Sequence, residues 1–175
     1  AFFNFIAFLI FGVAVAKTIG AGIVSPAAID NAVIFGALCG AISWNLITWW
    51  FGIPSSSSHA LVGGLVGAAL AKAGWSAIIA HGLIKTSAAI ILSPLFGLVL
   101  ALTLALTLFW VLEKAMPARA EARFNKLQFV SSSLYSLGHG GNDAQKTMGI
   151  ITGLLYANGY LQGPFHVPFW IVISC

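Results

Sequence analysis

The chain has 175 residues, of which 59% are apolar and 7% are charged, and its formal net charge at pH 7 is +4. Soluble domains carry about 25% charged residues, so this composition excludes an ordinary soluble protein and indicates an integral membrane protein. The apolar runs are long and continuous rather than alternating with a period of two. This pattern predicts an all-α, multi-span helical bundle rather than a closed β-barrel.

The first 113 residues are predicted to form several membrane segments. We expect spans at about residues 1–16, 31–51 and 87–113, with a re-entrant hairpin at residues 55–85. The first span is shorter than the roughly 20 residues needed to cross a bilayer, and the chain reaches Cys175 within another apolar run. We therefore expect the central fragment of a longer protein.

A basic segment follows at residues 114–126 and carries Lys114, Arg119, Arg123 and Lys126. Lys and Arg are enriched in cytoplasmic loops, so this segment is predicted to be a cytoplasmic linker. The rest of the chain offers no basic surface, and nucleic acid is not expected as a partner. In the remaining part, residues 127–175, we expect a half-helix, a break at residues 138–143, a resumed helix at residues 144–157 and the start of a final span.

Four consecutive serines follow a predicted helix break at Pro54. Serine is a preferred N-cap residue, and the free amides and positive dipole at a helix N-terminus favour an anion. The candidate ligands of an oxyanion are therefore Ser55, Ser56, Ser57 and Ser58, with His59 as a supporting residue. The alternative is that the serines only cap the helix. Gly63 and Gly67 are predicted to form its close-packing face.

A second polar cluster begins with Gly138, Gly140 and Gly141. Glycines permit backbone conformations closed to other residues, so we expect them to unwind the helix before Asn142 and Asp143. Unwound carbonyls with a carboxylate are a typical site for a coupling cation at membrane depth. The alternative is a structural ion pair between Asp143 and Lys146, three residues apart on one helix face.

The two motifs together are specific. The segments WWFGIPSSSSHALVGG (residues 49–64) and GHGGNDAQKTMGI (residues 138–150) resemble the inorganic phosphate transporter family in its bacterial form. The resemblance covers essentially the whole chain. It implies an inverted-repeat transporter with one Asn-Asp motif and one Ser/Thr-rich hairpin in each repeat. This chain carries the hairpin of the first repeat and the Asn-Asp motif of the second, so we expect the fragment to be inactive alone.

The resemblance implies a function, and the motifs supply its candidate residues. We expect secondary active symport of inorganic phosphate with Na⁺ or H⁺ by alternating access in the bacterial plasma membrane, with no cofactor. Phosphate binding is predicted at Ser55, Ser56, Ser57, Ser58, Gln145 and Thr147. The coupling ion is predicted to bind Asn142 and Asp143, where Na⁺ would be held. Supporting roles are assigned to His59, Gly138, His139, Gly140, Gly141 and Lys146.

Several alternatives stay open at the level of sequence. The partner is either free phosphate or its complex with a divalent metal, and a homodimer is one of the open oligomeric states. A channel with a hydroxyl-lined filter is a competing function. An intramembrane hydrolase using Ser58 and Asp143 is less favoured, because the Gly-x-Ser-x-Gly elbow is missing from the sequence and adjacent Ser58 and His59 project in different directions on a helix.

Overall fold

The computed structural model describes residues 2–113 and 117–175. Its α-helices are α1 (Phe2–Phe11), α2 (Ala14–Lys17), α3 (Asn31–Trp50), α4 (Ser57–Ala73), α5 (Ala80–Leu112), α6 (Pro117–Ala157) and α7 (Phe169–Ser174). Within the described ranges the only extended pairing is an isolated antiparallel bridge between Val24 and Ile78. The predicted all-α class is confirmed. Lys114 and the side chains of Arg119 and Arg123 lie outside the described part of the chain.

Two described helices, α3 and α5, are long and apolar enough to cross a membrane. A third crossing is available if the N-terminal helices form one bent span, since α1 and the helix from Ala14 to Gly22 meet at 72°. The bend lies at Gly12, whose φ of +62° is accessible to glycine at little cost. Sequence reasoning expected an unbroken helix through this position, and this part of the prediction was wrong.

Helices α3 and α4 form a hairpin and enclose much of the core. Gly64 of α4 lies against the carbonyl of Ala37 in α3, so closely that a Cβ at this position would overlap that oxygen. Gly63 and Gly67, which were predicted to form the packing face, have open space where a Cβ would be. That prediction was wrong because Gly64, one residue further, faces the neighbouring helix.

Helix α5 begins at Ala80 and continues without interruption to Leu112. Residues 80–85, expected in the re-entrant hairpin, are therefore continuous with the following span. Gly82 contacts the backbone of Gly22, which fixes the start of α5 beside the bent N-terminal helix. Beyond that point the helix is largely exposed within this chain.

Helix α6 is continuous over 41 residues, so the predicted break at residues 138–143 was wrong. Glycine weakens a helix by roughly 0.5–1 kcal/mol relative to alanine but does not forbid one. Here the glycines allow close packing, because a Cβ at Gly140 would lie 2.6 Å from Asn4 Cα and one at Gly141 would lie 2.6 Å from the Phe11 ring. Gly149 also packs closely, against the Ala16 carbonyl, as its small-residue spacing indicates.

The start of α3 is fixed by Asp30. Its carboxylate accepts a hydrogen bond from the Val33 amide at 2.9 Å and lies 2.6 Å from the ammonium of Lys72 at the end of α4. The Lys72 hydrogen bond, followed by the Val33 amide, lowers the pKa of Asp30. The contact therefore joins the open end of the α3–α4 hairpin.

The Asp30–Lys72 contact predicts a pH-dependent stability. A carboxyl group whose pKa is lowered by folding stabilises the protein above its ordinary value of 3.8, and this contribution is lost as the pH falls through the lowered pKa. Asn keeps the cap but removes the charge. We expect Asp30→Asn to lower the thermal midpoint by about 1–2 °C at pH 7 and by nothing below the lowered pKa. Thermal unfolding in detergent from pH 7 to pH 3 measures this difference, and a difference independent of pH would contradict it.

Candidate functional site

The two polar motifs meet at one contact. Lys146 Nζ in α6 donates a hydrogen bond to Ser58 Oγ, in the first turn of α4, at 2.5 Å. The two residues are 88 positions apart in the chain. The first described i to i−4 bond of α4 runs from the Ala60 amide to the Ser56 carbonyl. The amides of Ser57, Ser58 and His59 therefore precede the helical ladder, as expected at a helix N-terminus.

Further polar side chains surround this contact. Lys146 Nζ lies 2.6 Å from Asp143 Oδ1, and His139 Nε2 lies 3.1 Å from Asp143 Oδ2. The His139 ring is stacked on Tyr135, one turn earlier in α6. The Asp143 side chain is 47% exposed, whereas that of Lys146 is only 13% exposed. Lys146 is thus the more enclosed of these two charges.

Two cavities adjoin the contact, and Lys146 lines both of them. The first, of about 400 Å³, has as its polar lining Thr18, Ser58, His59, Thr86, Ser93, Asn142 and Lys146. The second, of about 380 Å³, has as its polar lining Asn45, Ser57, Asp143, Lys146 and Thr147. The first combines hydroxyl and amide donors with one ammonium, which suits an oxyanion. The second contains the carboxylate with several neutral oxygens, which suits a hard cation.

The four serines do not occupy equivalent positions. Ser58 and Ser57 line the first and second cavities respectively. Ser55 lies within 2.8 Å of the Thr48 hydroxyl of α3 and lines neither cavity. Ser56 occupies the N-cap position, but its side chain makes no capping hydrogen bond in the structure. Only half of the serine run is therefore next to the Asn-Asp motif.

Gln145 has a different place from the other predicted ligands. Its side chain is buried, and its Oε1 accepts from the amides of Val15, at 2.8 Å, and Ala16, at 3.3 Å. Its Nε2 donates to the Gly141 carbonyl at 2.7 Å. Gln145 thus ties α6 to the helix that follows the bend at Gly12, and it lines neither of the two cavities.

A known protein family matches this chain. Residues 1–123 and 112–175 match the sequence model of the phosphate transporter family, so that both polar motifs fall inside the matched region. The chain belongs to the phosphate transporter family. The predicted family resemblance is confirmed, and the membership makes this a multi-pass protein of the plasma membrane and not an enzyme. The intramembrane hydrolase alternative is thereby removed.

Two relatives in this family illustrate the extent of the match. The chain is 62% identical over 175 residues to a "Probable low-affinity inorganic phosphate transporter" of Rhizobium meliloti (strain 1021), covering all of this chain and 52% of that protein. It is 42% identical over 177 residues to a protein of the same description from Bacillus subtilis (strain 168), covering 53% of it. The chain therefore spans about half the length of these phosphate transporter family members.

A solved structure gives an independent comparison of the fold. The structure described as "The sodium-dependent phosphate transporter" superposes with a TM-score of 0.73 over 98% of this chain and 61% of that chain. The sequence identity is 21%, so the likeness establishes a shared fold.

Sequence reasoning missed several polar residues of the two cavities. Thr86 and Ser93 of α5 are seven residues apart and so lie on one face of that helix, which is a signal that the sequence contains. Asn45 of α3 and Thr18 beside the N-terminal bend carry no such local signal. They reach the cavities through the tertiary packing of this family member.

Proposed function

We propose that this chain forms part of a carrier that moves inorganic phosphate across the bacterial plasma membrane. The observation that carries the proposal is the Ser58–Lys146 contact. It brings the serine helix and the Asn-Asp helix together at a cavity that holds several hydrogen-bond donors among apolar side chains. Membership of the phosphate transporter family and the descriptions of the two relatives support phosphate as the substrate.

Phosphate is proposed to bind in the 400 Å³ cavity. The donors offered there are the Ser58 hydroxyl, the Lys146 ammonium and the first-turn amides of α4. Asn142 adds an amide at the same cavity, although its Nδ2 already donates to the Gly138 carbonyl at 3.0 Å. These groups replace the water lost by a phosphate oxyanion in a medium of low dielectric.

The other predicted residues are proposed to act around this site. Asp143 and Thr147 line the second cavity, so they are proposed to act in balancing the charge of the transported phosphate rather than in binding it. Gln145 acts by positioning, since each polar atom of its side chain already has a backbone partner. Ser55 supports the turn between α3 and α4 through Thr48.

Transport is proposed to follow alternating access with symport. A cation moving with phosphate offsets part of its negative charge, which lowers the cost of carrying the anion through the membrane interior.

Uptake of labelled phosphate tests the function. We expect the protein encoded by the complete reading frame, reconstituted in vesicles, to take up phosphate saturably and faster under an inward cation gradient. Ser58→Ala removes a donor to a charged ligand, so the phosphate concentration for half-maximal uptake is expected to rise about tenfold. Ser76→Ala, whose hydroxyl bonds only the Ala73 carbonyl in the structure, is the matched control. Flux that does not saturate would favour a channel over this carrier.

A further inference from the structure

Both oxygens of the Asp143 carboxylate already have a partner in the structure. Lys146 occupies Oδ1 at 2.6 Å, and His139 occupies Oδ2 at 3.1 Å. A free cation at this carboxylate needs oxygen ligands in place of those contacts, because hard cations are bound through oxygen. A cation at Asp143 Oδ1 would therefore lie beside the Lys146 ammonium, whose like charge repels it.

Lys146 is also the one residue that lines both cavities among the described residues. Its ammonium carries three N–H donors, of which one meets Asp143 and one meets Ser58. The third N–H has no hydrogen-bond partner among the described residues, and Lys146 lines the first cavity. Lysine presents a compact point charge on a flexible stem, so its ammonium can move between a carboxylate and a phosphate without a change in the helix.

We propose that the Lys146 ammonium is the resident counter-ion of Asp143 and decides whether phosphate uptake requires a dissociable cation at that carboxylate. The inference rests on the proposed phosphate transport and extends it. With Lys146 present, the positive charge beside Asp143 is part of the chain. With Lys146 replaced by a neutral side chain, the carboxylate is left with an open oxygen in the second cavity, together with Ser57, Thr147 and Asn45 as neutral oxygen ligands.

The test is the cation dependence of uptake by vesicles that contain the protein encoded by the complete reading frame. Labelled phosphate is supplied with Na⁺ or with choline at equal ionic strength. Wild-type uptake is expected to agree within twofold in the two buffers. Lys146→Met is expected to lose at least tenfold in choline and to recover at least fivefold in Na⁺. Lys146→Arg, which keeps the charge, is expected to stay insensitive to Na⁺.

Lys85→Met is the matched control, because Lys85 is exposed on α5 and lines neither cavity. Its uptake is expected to be unchanged in both buffers. Stimulation of wild-type uptake by Na⁺ of more than twofold would overturn the inference, as would Lys146→Met uptake that is equal in the two buffers.

A binding measurement separates this inference from the proposed function. The thermal midpoint of purified Lys146→Met is expected to rise when Na⁺ replaces choline, whereas that of the wild type is expected to stay constant. Vesicles in which the wild type takes up no phosphate would refute the proposed function, while the Na⁺ effect on the midpoints still decides the role of Lys146. If Lys146→Met does not reach the membrane, Lys146→Gln is used in its place. An equal rise in the thermal midpoints of wild type and variant with Na⁺ would contradict the inference.

Discussion

Asp143→Asn is expected to reduce phosphate uptake by about 30-fold with the protein still present in the membrane. The substitution keeps the shape of the side chain but leaves the enclosed Lys146 without its carboxylate partner. Removing one member of a fully buried ion pair costs about 3–5 kcal/mol of stability, and the half-exposed Asp143 reduces this to about 2 kcal/mol. We place this cost on the phosphate-bound state, where about 2 kcal/mol corresponds to about 30-fold in rate. Initial rates of labelled phosphate uptake, normalised to the protein in the membrane, measure the loss.

The matched control is Asp30→Asn, which removes a carboxylate that also pairs with a lysine but lies at the other end of the α3–α4 hairpin. Its uptake is expected to stay within twofold of the wild type. The double variant Asp143→Asn/Lys146→Gln tests the alternative that the Asp143–Lys146 ion pair only stabilises the fold. Recovery of uptake in the double variant, or near-normal uptake by Asp143→Asn, would show that the carboxylate has no part in transport.

The position of the helix break shows where local sequence stops being sufficient. Three glycines at Gly138, Gly140 and Gly141 give the stronger local signal for a break, yet the chain bends at the single Gly12. Gly140 and Gly141 of α6 instead allow α1 to pack closely against α6. Whether they do so depends on which residues of α1 face them. Glycine permits both a break and a close contact, and only the tertiary partner decides between them.

The site was predictable in its parts but not in its arrangement. The residue types of Ser58, Asp143 and Lys146 indicate an anion and a cation at membrane depth from the sequence alone. Four identical serines contain no information on which hydroxyl faces α6, because that depends on the rotation of α4 against its neighbours. Gln145 was predicted to bind phosphate, like its neighbour Thr147. In the structure its side-chain oxygen instead accepts a hydrogen bond from a backbone amide about 130 residues earlier in the chain.

The close packing of α3 and α4 places Ser58 relative to α6, so it links the fold to the site. Gly64 faces the backbone of Ala37, whereas the adjacent Gly63 faces open space. Movement of α4 away from α3 would shift the first turn of α4 and with it the hydroxyl that Lys146 contacts. Alanine at position 64 tests packing against α3, and alanine at position 63 tests helix propensity alone. Comparing the two substitutions therefore separates these effects.

Gly64→Ala is expected to destabilise the protein and Gly63→Ala to stabilise it slightly. The new Cβ at position 64 meets a backbone oxygen that has no rotamer to change, and overpacking of this kind costs about 1–3 kcal/mol, or about 2–10 °C in the thermal midpoint. At position 63 the same methyl group meets no neighbour within 4 Å, and alanine favours the helix by about 0.5–1 kcal/mol over glycine. Thermal unfolding of both variants in the same detergent gives the two signs. Equal thermal midpoints of the two variants would mean that α3 and α4 can move apart without loss of stability. The α3–α4 packing would then not explain why Ser58 lies beside Lys146.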